Sequence, residues 1–270
     1  MALTEFQRAT CRLLSSNRIE NNASFLAGGA ALNSLLEAPR LSRDLDLFHD
    51  SAEAVRATWD NDRRVLEGNG YVLDIVRERE GFVEIIARRG EDSVEIQWVQ
   101  DSAFRFFPPL PHPDLGLVLH PFDLATNKVL ALVGREKARD WVDTLTCHER
   151  LSPLGLLTWA ACGKDEGLNP QFILDEAART ARYSREEILE LDWGGQIPDF
   201  GALKVQWRAA LSEARTQIGF LPPETLGQAV LNEAGAPWNG APDELQLALD
   251  KGELRFHAGH IGGAWPDIKG

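Results

Sequence analysis

Three strand-like runs separated by short turns constrain the fold of this chain most strongly. The runs are rich in apolar side chains, and in the third of them polar and apolar side chains alternate, as they do in a strand with one buried face. The turns between the runs are Glu80-Gly81 and Gly90-Glu91-Asp92, which are typical turn sequences. The pattern predicts three consecutive strands over residues 71–77, 82–88 and 93–99.

Around these strands the sequence changes character. Before them it alternates helix-like and strand-like segments, and from Phe122 onward the apolar spacing is helical. The predicted helices are residues 4–16, 30–36, 52–66, 122–134, 136–149, 153–163, 170–180, 184–191 and 200–218, and a further strand is predicted at 44–48. The sequence therefore predicts an α+β fold, with an α/β N-terminal half and a helical C-terminal half.

A proline-rich stretch marks the expected boundary between the halves. Five prolines lie between residues 104 and 121, which predicts a stiff loop. We therefore expect an N-terminal domain at residues 1–115 and a mainly helical domain at 116–270. The Gly- and Pro-rich segment after about residue 235 is expected to form a loosely structured tail.

Composition excludes several classes of protein. No apolar run in the 270 residues approaches the roughly 20 needed to span a bilayer, and the N-terminus lacks the pattern of a signal peptide. We expect a cytoplasmic protein without membrane partners. The three cysteines are widely spaced and are expected to be reduced, buried thiols. A net charge of −13 disfavours a nucleic-acid substrate but not a nucleotide bound through a metal.

The first chemical signal is a pair of aspartates in the predicted strand at 44–48. Residues i and i+2 of a strand point to the same face, so Asp44 and Asp46 would project side by side while Leu45 and Leu47 enter the core. Two adjacent carboxylates are costly unless a cation neutralises them. Mg²⁺ prefers such oxygen ligands and completes its shell with water and substrate phosphates.

A glycine pair supplies the second part of the pattern. Gly28-Gly29 ends a short apolar run and precedes a predicted helix, whose N-terminal N–H groups can hold phosphates. Each signal alone is weak, because Gly-Gly usually forms a turn and such aspartates are usually solvated or salt-bridged. Arg40 and Arg43 could simply neutralise the aspartates. The two signals in order and at short spacing favour phosphoryl or nucleotidyl transfer.

A third signal lies in the helical half. Lys128, Leu132, Arg135 and Arg139 share one face if a single helix continues through them. Three cations on that face could contact phosphate oxygens. The alternative is a solvated, charged face on which Arg139 pairs with Asp143.

These segments resemble a known family. GGAAL at residues 28–32 and RLSRDLDLF at 40–48 are similar to the first motif of the AbiEii/AbiGii-type nucleotidyltransferases of the DNA polymerase β-like superfamily. FDLATNKVLAL at 122–132, followed by Arg139-Asp140 and Asp143, resembles their lysine helix and RD-x-x-D segment. The resemblance covers roughly residues 20–150. It implies a nucleotidyltransferase-like mixed sheet with flanking helices, followed by a helical domain.

The resemblance also implies roles for individual residues. Lys128 would bind the triphosphate, and Asp140 or Asp143 would position or deprotonate the attacking group, or merely orient Lys128. Family members place a third carboxylate on a later strand, and Glu95 is the candidate here. Asp74 and Glu84 are weaker alternatives.

The mechanism that follows is a hypothesis. Asp44 and Asp46, with Glu95, would hold two Mg²⁺ ions that bridge an NTP, while Gly28, Gly29, Ser42 and Arg40 steady its phosphates. An acceptor hydroxyl would attack the α-phosphorus and release pyrophosphate.

The acceptor and the partners are less constrained. The resemblance implies a toxin of a toxin–antitoxin or phage-defence pair that modifies tRNA or protein and is restrained by a cognate antitoxin. Alternatives are a small-molecule, antibiotic-type nucleotidyltransferase and a degenerate module that binds nucleotide without turnover. Four tryptophans are expected in the core of the predicted helices and not as base-stacking platforms, namely Trp141, Trp159, Trp193 and Trp207.

Overall fold

The structure is a computed structural model that describes residues 3–21, 23–180 and 182–267. Clustering of backbone contacts divides the chain into two compact units. The sheet unit comprises Met1–Ala103, Pro109–His120 and Asp192–Gly195, and the helical unit comprises Phe104–Pro108, Pro121–Leu191 and Gln196–Gly270. Within the described ranges, no helix has both the length and the apolar character needed to cross a membrane.

The sheet unit contains one mixed, seven-stranded sheet. Its strands are β1 (Phe25–Ala27), β2 (Asp44–His49), β3 (Val72–Arg79), β4 (Phe82–Arg89), β5 (Asp92–Gln100), β7 (Leu110–His112) and β8 (Gly116–Val118). They lie in the order β3-β4-β5-β2-β1-β8-β7, with β2 parallel to β5 and antiparallel to β1. This arrangement confirms the predicted α+β fold with a mixed sheet.

The described residues of this unit also form three helices. They are α1 (Glu5–Asn21), α2 (Gly28–Leu35) and α3 (Ala52–Gly68). The Ser51 side chain caps α3 by accepting a hydrogen bond from the backbone N–H of Ala54.

One face of the sheet is buried because its strands alternate as the sequence predicts. Leu45, Leu47 and Trp98 are buried on that face. Trp98 packs against Trp59 of α3, with ring centroids 4.9 Å apart, and its indole N–H donates to the buried carboxylate of Asp62. The opposite face therefore carries the polar members of the same strands.

The helical unit has its own apolar core. Its elements are β6 (Phe104–Arg105), α4 (Pro121–Arg135), α5 (Ala138–Arg150), α6 (Leu154–Ala161), α7 (Pro170–Thr180), α8 (Arg185–Leu189), α9 (Phe200–Phe220), β9 (Ala229–Leu231), α10 (Pro242–Lys251), β10 (Arg255–His257) and β11 (His260–Ile261). One core cluster is formed by Leu156, Trp159, Leu221, Val230 and Leu245. Cys11, Cys147 and Cys162 are buried and free, as predicted.

Two segments are more ordered than the sequence predicts. The expected stiff loop at 104–121 contains the short strands β6, β7 and β8. The expected loosely structured tail contains α10, β10 and β11. Signals for α10 are present in the sequence, because Pro242 occupies the first helical turn and Gly252 ends the helix in the left-handed region, at φ 69°.

Candidate functional site

Asp44 and Asp46 lie on the open face of β2. Both side chains are half-buried, whereas the alternate residues Leu45 and Leu47 are buried. The alternation places the two carboxylates side by side, as the strand geometry requires. The predicted strand and the orientation of its side chains are therefore confirmed.

The glycine pair packs directly against these carboxylates. Gly28 has φ 64°, in the left-handed region, and a Cβ at this position would overlap Oδ2 of Asp46. α2 begins at Gly28, and its N-cap residue Ala27 provides no side-chain hydrogen bond. The first N–H groups of α2 thus lie beside Asp46 without a capping side chain, which is an arrangement suited to phosphate.

Arg40 and Ser42 border the same turn. A Cβ at Gly29 would lie 2.7 Å from Nη2 of Arg40 and 2.9 Å from Oγ of Ser42. The Ser42 hydroxyl also donates to Oδ1 of Asp44 at 2.8 Å. Six of the residues predicted as ligands therefore converge in the sheet unit: the two glycines, Arg40, Ser42, Asp44 and Asp46.

Glu95 lies beside the aspartates through strand pairing. It is the direct neighbour of Asp44 in the parallel β2–β5 ladder, and Gln97 is the neighbour of Asp46. Neighbours in register point to the same face of a sheet. Burial raises the pKa of the Glu95 carboxyl, and the nearby charge of Asp44 acts in the same direction.

The Glu95 carboxylate is nevertheless engaged elsewhere in the sheet. Gln97 Nε2 donates to Glu95 Oε1 at 2.7 Å and to Glu84 Oε1 at 3.3 Å. Across the described ranges, no group of three or more His, Cys, Asp or Glu side chains is arranged to hold a metal ion. Asp74 lies on β3, three strands from β2 and so about 14 Å away, and it pairs with Arg88.

The helical unit contains a second group of charged residues. Lys128 Nζ lies 2.8 Å from Asp140 Oδ1 and 2.9 Å from Asp143 Oδ2. Arg135 Nε adds a bond of 2.8 Å to the other oxygen of Asp140. Both aspartates are fully buried, and the Lys128 side chain is 7% exposed. Two cations and two carboxylates thus form one ion-pair network.

The network alters the titration of its members. Burial alone would raise the pKa of Asp140, but Arg135 and Lys128 outweigh it and lower that pKa to about 2. Burial would lower the pKa of Lys128, but Asp143 and Asp140 outweigh it and raise that pKa. Both Asp140 and Lys128 are therefore charged near neutral pH.

The predicted cationic face is wrong for Arg139. α4 ends at Arg135, and Glu136 has φ 49°, so the helix does not continue. Arg139 lies on α5 instead. Arg139 and Asp143 therefore share a helix. The ion pair that joins Asp143 to α4 is made by Lys128.

Two sets of contacts around the loop at residues 39–43 were not predicted. Gln7 Nε2 of α1 donates to the Ser42 carbonyl at 2.8 Å. Trp193, expected in a helical core, is half-buried and forms an antiparallel bridge with Arg40. No periodicity or motif in the sequence signals either contact, because each joins a loop to a distant segment.

Comparisons with known proteins identify the fold. MenT4, a nucleotidyltransferase toxin from Mycobacterium tuberculosis H37Rv, is 15% identical and superposes with a TM-score of 0.51, covering 81% of this chain and 84% of that chain. JHP933 from Helicobacter pylori is 16% identical with a TM-score of 0.46, covering 80% of this chain and 95% of that chain. A sequence search finds no match among curated proteins. The fold is that of a nucleotidyltransferase.

The family follows from the sequence itself. The family model described as "Nucleotidyl transferase AbiEii toxin, Type IV TA system" matches residues 12–213. The chain belongs to this family of toxins of toxin–antitoxin systems, which confirms the resemblance seen in the motifs. The protein is therefore a nucleotidyltransferase.

Proposed function

We propose that this protein transfers a nucleoside monophosphate from a magnesium-bound NTP to an acceptor hydroxyl and releases pyrophosphate. The observation that carries the proposal is the packing of the Gly28 turn against Asp46, next to Asp44. It combines a helix N-terminus suited to phosphate with two carboxylates suited to a cation. Only glycine fits there, because a Cβ at Gly28 would stand where the Asp46 carboxylate lies.

The residues present fit Mg²⁺ as a partly hydrated ion. Asp44 and Asp46 supply two adjacent oxygen ligands on the open face of β2, and Mg²⁺ commonly takes one or two carboxylates plus water and substrate phosphates. Two such ions, as the family resemblance implies, would offset the charge of the triphosphate. Glu95 would join the ligands or accept the proton of the attacking hydroxyl after releasing Gln97.

The remaining residues would bind and orient the nucleotide. The N-terminus of α2 and the side chains of Arg40 and Ser42 face the same turn and would hold triphosphate oxygens. Lys128 is our candidate for a further triphosphate ligand. Its contacts with Asp140 and Asp143 favour an orienting role for these two aspartates over direct proton transfer.

The acceptor is proposed to be tRNA or protein, and the helical unit is proposed to bind it. Membership of a toxin family supports this choice and supports control by a cognate antitoxin. A small-molecule acceptor is the second candidate. It is favoured by the net charge of −13, which disfavours a nucleic-acid substrate.

The test uses each α-labelled NTP with Mg²⁺ and total bacterial RNA, and compares the wild-type protein with Asp46→Ala. Label is followed into RNA, into the protein itself and into added small-molecule acceptors such as aminoglycosides. We expect label in tRNA or protein with the wild type and none with Asp46→Ala. Full activity of Asp46→Ala would refute the assignment. Label only in a small-molecule acceptor would favour the second candidate.

A further inference from the structure

The loop at residues 39–43 is held by a distant segment, Asp192–Gly195, here called the strap. The backbone N–H of Leu41 donates to the Asp192 carbonyl at 2.9 Å, and that of Gly194 donates to the Pro39 carbonyl at 2.8 Å. These two bonds flank the antiparallel bridge between Arg40 and Trp193. The strap therefore adds a short extended pairing to a loop that is otherwise irregular.

An ion pair reinforces the backbone pairing. Both Nε and Nη2 of Arg43 donate to the carboxylate of Asp192, the latter at 3.0 Å. The pair lowers the pKa of Asp192 and raises that of Arg43. Two parallel N–H···O bonds fix orientation as well as distance. The side chain of Arg43 is 75% exposed, so the ion pair lies at the surface and not in the core.

The loop that is held in this way carries two proposed phosphate ligands. Ser42 is fixed on its other side, because its carbonyl accepts a bond from Gln7 and its hydroxyl bonds to Asp44. Arg40 lies directly opposite Trp193. In an antiparallel pair of this kind the two side chains share a face and lie close together. Trp193 therefore limits the conformations that the Arg40 side chain can adopt.

We propose that the strap positions the phosphate-binding loop for nucleotide transfer, with Asp192 and Trp193 as positioning residues. The inference rests on the proposed function, because it assigns the loop to the triphosphate. Ordering a flexible loop on binding costs free energy, and a loop that is already ordered avoids this cost. Loosening the strap should therefore weaken NTP binding more than it lowers the rate of transfer from the bound complex.

Two variants loosen the strap in different ways. Asp192→Asn removes the negative charge that pairs with Arg43, and Gly194→Pro removes the N–H that donates to the Pro39 carbonyl. Asp192→Glu is the conservative variant that keeps the charge. Asp114→Asn is the matched control, because it breaks a 2.8 Å ion pair with Arg12 in the same unit but away from the loop.

Steady-state transfer assays and hydrogen exchange test the inference together. We expect Asp192→Asn and Gly194→Pro to raise the KM for NTP about three- to tenfold with kcat within about twofold, as loss of uniform binding predicts. Amides of residues 39–46 should exchange faster in both variants. Asp192→Glu should restore most of the affinity, and Asp114→Asn should match the wild type.

Other results would overturn the inference. A wild-type KM in both strap variants would do so, as would an equal rise of KM in Asp114→Asn or unchanged exchange at residues 39–46. Failure of the proposed function looks different, because the wild-type protein itself would then neither bind nor transfer any NTP. Exchange at residues 39–46 would still report in that case whether the strap holds the loop.

Discussion

The two charged clusters of this protein are built on opposite principles. In the sheet unit, Asp44, Asp46 and Glu95 bring like charges to one half-buried strand face. In the helical unit, Lys128 lies between two fully buried carboxylates. The first arrangement brings like charges together, and the second pairs its carboxylates with cations of the same unit.

Under the proposed function, this difference predicts which cluster depends on a ligand. Like charges held side by side cost free energy unless a cation binds, whereas a complete buried ion-pair network has its partners already. Substitutions in the first cluster should therefore affect activity more than folding. Substitutions in the second should affect folding first.

Removing a carboxylate from the sheet cluster should produce the largest effect. Asp44→Ala is expected to lower the transfer rate by at least about 10³-fold, which corresponds to roughly 4 kcal/mol of transition-state free energy. Its thermal unfolding midpoint should stay near that of the wild type, because one source of repulsion is gone. Asp74→Ala, three strands away on the same sheet, is the control and should retain transfer. A large loss of stability in Asp44→Ala would break the comparison.

Breaking the helical cluster should instead unfold the protein more easily. Lys128→Met leaves Asp140 and Asp143 buried without one of their cations, and such losses cost about 3–5 kcal/mol of unfolding free energy. Urea denaturation measures the change. Lys251→Met breaks an exposed pair with Glu253 and should cost less than about 1 kcal/mol. Equal effects of the two substitutions would show that the buried network is not stabilising.

Acid should affect the two units in separate pH ranges, beginning with the sheet unit. Burial lowers the pKa of His49, at the end of β2, to about 4 from 6.5. The unfolded chain therefore binds a proton between these values that the folded chain does not bind. Stability should fall by about 3 kcal/mol as the pH drops from about 6.5 to 4. His49→Leu should flatten this part of the profile, and an unchanged slope would exclude His49 as its source.

The helical unit should respond at lower pH. The pKa of Asp140 is lowered to about 2 from 3.8, so its contribution is present above about 4 and is lost as the pH falls toward 2. The expected loss is about 2 kcal/mol. Asp140→Asn should remove this slope while reducing stability at neutral pH. Urea unfolding at pH 2–5 tests it, and the same slope in Asp140→Asn would contradict the assignment.

Local patterns allowed much of the sheet unit to be predicted. Alternation alone places Asp44 and Asp46 on one face, and the glycine pair before a helix marks the turn beside them. Glu95 was placed on a later strand by resemblance, and pairing of β5 with β2 brings it beside Asp44. Its role as ligand or base stays a prediction.

The remaining features depend on contacts between distant segments. α4 ends at Arg135 because Glu136 adopts a positive φ. The spacing of apolar residues in the helix does not predict this end. The strap is a short Asp-Trp-Gly-Gly segment, and only the folded chain shows that it pairs with residues 39–41. Helical periodicity likewise misassigned Trp193, because the tryptophan follows α8 closely in sequence without belonging to it.

Calorimetric titration of each NTP into the wild-type protein and Asp46→Asn, with and without Mg²⁺, tests the central claim most directly. The account predicts that the wild type binds at least one NTP in a Mg²⁺-dependent manner, and that Asp46→Asn weakens this binding at least about tenfold, or about 1.4 kcal/mol. Binding of equal strength without Mg²⁺, or equal binding by Asp46→Asn, would contradict a magnesium–nucleotide site on β2.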